Sequence, residues 1–339
     1  MTVAWLGILL MAVSLPLTLP ATALAAPPAP AADVGVITGG ERGTYYQFGL
    51  DIQKLVNRVM PSLGVTVYPS KGSVENIYAV YQRPATQMGI VQSDVLAFVF
   101  RVQTDPLLKR IARKIKLVFP LYNEEVHILG RAGITDFDDL ANRRVAIGRE
   151  GSGTYLTARI LLKMADVTPR ETVLIDTDEA LAELKAGRID AMFYVAGYPV
   201  KLLTEKVTAD DGLAVIPITN KSIAEFYPVV EIPAGTYTWQ ATPVSTVAVK
   251  AVLVSYDFRQ RDCDVIGRFA LAMSDGLEWL RKNGHPKWKA VDLNFPLKGW
   301  EQYDCVAKYM RKPGGQPAAT LKPAGGNPVM DAIKDLLNE

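Results

Sequence analysis

Apolar positions along this chain follow two rhythms that alternate in a fixed order. Val34-Gly-Val-Ile37 is an apolar run that enters the glycine-rich turn Thr38 to Gly43, and a helical spacing follows at Phe48, Ile52, Leu55, Val56 and Val59. Gly72-Ser73 opens a second helix with Val74, Ile77, Tyr78 and Tyr81 on one face, and Met88-Gly-Ile-Val-Gln92 reads as a strand that stops at Ser93-Asp94. The same order recurs in the later half. Arg144-Val-Ala-Ile147 runs into Gly148-Arg-Glu-Gly-Ser-Gly153-Thr154-Tyr155, and the next helix carries Ile160, Leu161 and Met164. Asp178 opens a further helix through Leu184 with Gly187 as its C-cap, and the strand Ile189 to Val195 ends at Ala196-Gly-Tyr-Pro199. Both copies reach Gly-Thr-Tyr where their first helix begins, at 43–45 and at 153–155.

Strand–helix alternation of this kind builds α/β units on a parallel sheet, so two copies predict two similar lobes with a cleft between them. Asn123 to Arg131 and Pro243 to Ser255 are extended, β-branched stretches, expected to be strands crossing between the lobes. Lobe one is then 33–123 plus 246–311 and lobe two 124–245, with a helical pattern from Asp257 through Lys282. Residues 312–339 read as a Pro/Gly linker and a short C-terminal helix, Asp331 to Leu337.

The N-terminus changes the picture of where the protein works. An apolar stretch to Leu19, broken by Pro16 and followed by Ala23-Leu24-Ala25, has the form of a cleavable signal peptide over residues 1–25, although no Lys or Arg precedes it. A periplasmic, exported protein is expected. The balance of 37 basic against 35 acidic residues, net +2, carries no electrostatic footprint for nucleic acid. Only two histidines and two cysteines occur among 339 residues, so no zinc-ligand spacing can be built, and no catalytic, metal or cofactor site is expected. In an oxidising compartment Cys263 and Cys305 are expected to pair, pinning the C-terminal segment to lobe one away from the ligand loops.

In open α/β sheets ligands bind beyond the carboxyl ends of the strands. Gly40–Thr44, Ser70–Ser73, Gln92–Asp94 and Arg149–Thr154 are the loops expected there, each with a helix N-terminus behind it that favours an anion. Candidate ligand-binding residues are Arg42, Gly43, Thr44, Tyr45, Lys71, Gly72, Ser73, Gln92, Ser93, Ser152, Gly153, Thr154 and Tyr194, with Arg149, Tyr155 and Tyr198 beside them. The hydroxyls can either cap their helices or donate to the ligand; the tyrosines can wall the cleft or pack. Gly148 to Thr154 has the glycine spacing of a P-loop, but Thr154 stands where the phosphate-binding lysine is needed, which excludes nucleoside triphosphates. A dinucleotide fingerprint at Gly151-x-Gly153 lacks its third glycine, where Leu156 stands.

These motifs carry a family resemblance. Thr38-Gly-Gly-x-x-Gly-Thr-Tyr-Tyr46, Gly72-Ser-Val-Glu-Asn76, Gly89-Ile-Val-Gln-Ser-Asp94, Gly151-Ser-Gly-Thr154, Phe193-Tyr-Val-Ala-Gly-Tyr-Pro199, Ile232-Pro-Ala-Gly-Thr-Tyr237 and Thr246-Val-Ala-Val-Lys250 resemble the TAXI-type substrate-binding proteins of tripartite ATP-independent periplasmic (TRAP) transporters. The resemblance implies an α/β, type II-like periplasmic binding fold of two lobes, no enzymatic activity, and a small carboxylate ligand of the glutamate, glutamine or 2-oxoglutarate kind. It also implies delivery to the subunits of a sodium-coupled TRAP-type permease, and a monomer is expected. Glu41-Arg42 and Lys71 depart from the small residues usual at those positions. The alternatives are an exported ligand-sensing or surface-interaction protein of the same fold, and an exported α/β enzyme.

Overall fold

The computed structural model describes Met1 and residues 32–101, 105–257, 262–297, 299–300 and 302–311; the expected signal peptide and the 312–339 tail lie outside the described residues. The first half runs β1 (Ala32–Ile37), α1 (Thr44–Val59), β2 (Leu63–Tyr68), α2 (Ser73–Gln82) and β3 (Met88–Gln92). β1 pairs in parallel with β2 on one side and β3 on the other. All five residues of β3 are buried, as the unbroken apolar run of a strand covered on both faces requires. Two helices follow, α3 (Ser93–Arg101) and α4 (Pro106–Ala112). Asp105 caps α4 by accepting from the Leu107 and Leu108 amides, with Pro106 as the first helical residue.

β4 (Ile115–Gly130) carries the chain into the second half, where β5 (Arg144–Ala146), α5 (Gly153–Met164), β6 (Glu171–Val173), α6 (Thr177–Lys185) and β7 (Ala191–Ala196) repeat the order of the first. β5 pairs in parallel with β6 and β7, so each half places its first strand between its second and third. The sequence repeat is therefore a structural repeat. α7 (Lys201–Lys206), β8 (Ala214–Val215), α8 (Lys221–Ala224) and β9 (Val229–Ile232) lead to β10 (Val244–Tyr256), which returns to the first half.

The strands form one sheet in the order β2-β1-β3-β10-β4-β7-β5-β6, with β8 added on β4 and β9 on β10. β4 and β10 are antiparallel and belong to both halves. The early part of β4 pairs with β10 and its later part with β7, while β10 pairs first with β9 and then with β3. β4 starts eight residues before the expected Asn123, because Pro120 lies inside it. A proline argues against a central strand, having no N–H to give the ladder. Here it sits opposite Val252, with a register shift on either side of that pair, so the ladder is already interrupted where the donor is missing.

The chain then adds α9 (Cys263–Asp275), α10 (Leu277–Asn283), a 3-10 turn at Pro286–Ala290 and α11 (Asp304–Met310). Phe48 of α1 stacks on Trp288 at 4.1 Å between ring centres. One oxygen of Asp51, also on α1, accepts from the Trp288 indole at 3.0 Å and from the His285 amide at 2.7 Å. The C-terminal segment thus packs on the first half, and the Cys263–Cys305 disulfide joins α9 to α11 with 5.1 Å between their Cα atoms. One apolar cluster, with Phe48, Met273 and Trp288, fills this side of the first half, and another, with Leu184, Met192 and Tyr237, fills the second. A third runs beneath both halves through Val91, Val95, Leu161 and Phe193. Among the described residues no helix is long and apolar enough to cross a membrane.

Candidate ligand-binding site

The turns after β1, β2, β5 and β6 all open at the carboxyl ends of their parallel strands, and the two halves bring them together around one cavity of about 350 Å³. Of the sequence-derived candidates, Arg42, Gly43, Thr44, Tyr45, Lys71, Gly72, Ser73, Gln92, Ser152, Gly153, Thr154 and Tyr194 line it. Ser93 does not. It sits one residue past the lining, where its hydroxyl accepts from the Lys250 amide at 3.1 Å and ties α3 to β10. Tyr155 and Tyr198 are also off the lining: the Arg159 guanidinium lies over the first ring, and the Lys287 ammonium lies 3.7 Å from the centre of the second.

Four helix N-termini face the cavity, and their caps differ. Ser152 caps α5 by accepting from the Tyr155 amide at 3.1 Å. α1, α2 and α6 begin at Gly43, Gly72 and Asp176 with no side-chain cap, so their first-turn amides carry the partial positive charge of the helix end into the cavity. Gly72 has φ +119°, a conformation open to glycine alone at little cost, and it turns the chain from β2 directly into α2. The remaining hydroxyls build the walls. Ser73 Oγ accepts from the Gln92 amide at 3.1 Å, Thr154 Oγ1 from the Val195 amide at 3.2 Å, and Thr44 Oγ1 donates to the Gly197 carbonyl at 2.7 Å.

Asn76 was not among the candidates, yet it holds the first loop in place. Fully buried on α2, its carboxamide donates to the Thr38 and Ile90 carbonyls, and its oxygen accepts from Ser70 at 2.7 Å. The loops after β1 and β2 and the end of β3 are thereby fixed to one another.

Charge is distributed differently from the sequence expectation. Arg42 and Arg149 are paired with Asp178 and Asp176, which line the same cavity, so neither guanidinium is left to a ligand alone. Lys71 is exposed at the wall, and among the described residues its ammonium has no carboxylate partner. The acidic lining residues Glu124, Asp176 and Asp178 were missed. An Asp-Thr-Asp at a helix start reads as ordinary helix-end charge, whereas Glu124-Glu125 inside an otherwise apolar strand was a legible signal of a buried polar site.

Glu124 is 2 % exposed and accepts a 2.6 Å hydrogen bond from Tyr45. Burial pushes its carboxyl well above the usual range, with a smaller pull downward from Tyr45. Beside it Glu125 takes a 2.6 Å contact from Lys287; burial pushes that carboxyl up and that ammonium down, and each pulls the other back. Burial likewise pushes the Tyr45 and Tyr194 hydroxyls upward, so both stay protonated and can donate. Gln92, 2 % exposed, presents an amide oxygen with no hydrogen-bond partner among the described residues.

The halves also touch one another around the cavity. The Thr44–Gly197 bond and the Arg42–Asp178 pair cross between them. Gln92 approaches Gly153 so closely that a Cβ there would fall 1.7 Å from its amide oxygen. Among the described residues no group of three His, Cys, Asp or Glu side chains could hold a metal ion.

The sequence matches the NMT1-like family over residues 36–263. In architecture the chain is similar to the periplasmic binding protein BugD, at 10 % identity and TM-score 0.53, over 91 % of this chain and 95 % of that one. It is also similar to MatC from Rhodopseudomonas palustris with bound malate, at 14 % identity and TM-score 0.51, over 91 % of this chain and 97 % of that one. At these identities the likeness establishes the fold, the two-lobe α/β fold of periplasmic solute-binding proteins.

Proposed function

The chain belongs to the NMT1-like family, and from that premise we propose that it is an extracytoplasmic solute-binding protein that captures a small organic anion between its lobes without transforming it. The observation that carries this reading is the convergence of three helix N-termini without side-chain caps on a cavity whose wall holds the ammonium of Lys71, unpaired among the described residues. Such a site favours a carboxylate, and a cavity of about 350 Å³ suits a molecule of the size of glutamate, glutamine or 2-oxoglutarate. In this reading lobe one is 33–123 with 246–311 and lobe two is 124–245. The signal-like N-terminus directs export to the periplasm. The TAXI-like motifs support a TRAP-type permease as the recipient. Gly43, Thr44, Gly72, Ser73, Gly153 and Thr154 present backbone amides, with hydroxyl donors at Ser73 and Thr154, Arg42 and Ser152 shape the rim, Tyr45, Gln92 and Tyr194 meet the ligand from the floor and wall, and Ser93 supports them from behind.

Thermal unfolding with a panel of organic acids tests this, because a ligand held only by the folded protein raises its stability by mass action. A dicarboxylate is expected to raise the melting temperature more than its amide, with no turnover. Lys71→Ala is expected to weaken binding, measured by calorimetry, by about 1.5–3 kcal/mol, the scale of a charge-assisted hydrogen bond. Equal affinity for the acid and its amide would overturn the reading.

A further inference from the structure

We propose that Glu124 serves this site as a neutral acid, one oxygen accepting from Tyr45 and the other donating to an oxygen of the bound anion, so that the ligand is held together with a proton. The inference rests on the carboxylate reading above and adds to it a residue that determines which ligands fit.

Glu124 lines the cavity from the crossing strand β4, at the junction of the two halves. Its Oε2 accepts from Tyr45, and among the described residues Oε1 has no hydrogen-bond partner. A polar oxygen on a residue buried to this degree, facing a cavity and unpartnered, is a contact point awaiting a ligand.

The surroundings then select the protonation state. Tyr45 of α1, Asp94 of α3, Tyr122 and Glu125 of β4, Tyr194 of β7 and Lys287 of the 3-10 turn are the titratable groups around it. Lys287 is the sole cation of that set, and its ammonium donates to Glu125 at 2.6 Å. Asp94 and Glu125 add negative charge, and burial penalises another. An ionised Glu124 would also repel the anion this cavity is read to hold. A neutral carboxylic acid reverses that contact, since its O–H donates to a ligand oxygen. The matching ligand therefore carries an acceptor oxygen at the floor, as an oxo or hydroxy acid does. An ammonium placed there would instead call for the ionised carboxylate.

The linkage has a definite sign. A bound anion raises the pKa of Glu124 further, so affinity is constant on the acid side and falls by up to about tenfold per pH unit once the free protein begins to lose this proton. Titration calorimetry of 2-oxoglutarate against the wild type and Glu124→Gln, over a series of pH values, tests it. The glutamine keeps a donor but has no proton to lose. It is expected to bind within a few fold of the wild type at acid pH and to show no alkaline fall. The wild type, titrated in two buffers of different ionisation heat, is expected to take up protons on binding at pH values above the free-protein pKa. Wild-type affinity that rises with pH, together with binding lost in Glu124→Gln, would overturn the proposal in favour of a site that requires the ionised carboxylate. A wild-type affinity that stays flat through the pH at which Glu124 of the free protein ionises, followed by the infrared carboxyl band that Glu124→Gln removes, overturns it as well. If neither protein binds any organic acid at any pH, the carboxylate reading itself fails, and this inference with it.

Discussion

Asp94 shows at a single residue how burial and charge oppose each other in this protein. It is buried near the start of α3, where it accepts from the Val95 amide at 2.8 Å, from Thr157 of α5 at 2.7 Å and from the Tyr227 hydroxyl at 3.4 Å. Burial pushes the carboxyl up to about 6, and these hydrogen bonds pull it partly back. A raised folded-state pKa means that between about pH 4 and about pH 6 the native protein keeps a proton the unfolded chain has lost, so this residue's contribution to stability falls as pH rises through that window. A rise from about 4 to about 6 corresponds to about 3 kcal/mol. His127 acts with the opposite sign: burial pushes its imidazole down to about 4, and its contribution is lost as pH falls. The difference between Asp94→Asn and wild type isolates the aspartate. Urea unfolding at a series of pH values is expected to show the variant gaining on the wild type by up to about 3 kcal/mol from about pH 4 to about pH 6. A constant gap would mean that Asp94 titrates in the folded protein as it does in the unfolded chain. At this scale the sequence revealed residues that sit next to glycine turns, such as Lys71, Ser73 and Gly153. It marked Glu124 only by the Glu-Glu pair inside an apolar strand, and it hid Asn76, which holds the loops from inside a helix where local pattern carries no mark of a site.

At the scale of elements, the two strand–helix repeats were legible because each apolar run is closed by a turn residue. The strand Met88–Gln92 has the bounds its sequence predicts. The early part of β4 was not legible, because Pro120 breaks the local pattern and only the partner strand, from far along the chain, accommodates it. The Cys263–Cys305 bond was readable from the number of cysteines and the expected compartment, and it links two helices that pack on each other. Its closed loop spans 42 residues. In the chain-entropy picture such a bond contributes about 4 kcal/mol. Reduction is therefore expected to lower the melting temperature clearly. Because both helices lie away from the cavity lining, ligand affinity measured by calorimetry in the reduced protein is expected to be unchanged. A loss of affinity would mean that the C-terminal segment shapes the cleft.

At the scale of the molecule, contacts between the halves ring the cavity, so a ligand that adds contacts to both stabilises the closed arrangement. Small-angle scattering is expected to show a smaller radius of gyration with saturating ligand. Gly153→Ala tests the mechanism, since its methyl would meet the Gln92 amide when the halves come together. The variant is expected to bind more weakly and to lose the contraction, with little change in melting temperature in the absence of ligand. A contraction equal to the wild type's would show that Gln92 simply moves aside. The pairing of two lobes followed from the repeat in the sequence, whereas the depth of their contact did not, because Thr44–Gly197 and Asp94–Thr157 join residues whose proximity no local pattern encodes.

The register shifts that flank Pro120 and Val252 have a mechanical meaning. β4 and β10 form a two-strand strip that holds its length under tension, because each strand is an extended covalent chain, yet yields to torsion where the rungs between them are uneven. In an engineer's vocabulary this is a flexure, a bearing without a joint. The uneven rungs lie on the lobe-one side of the crossing, where β4 leaves β10 for β7, so rotation of the lobes about this strip is the expected motion, with an axis set by the chain itself and not by whatever molecule lies between them.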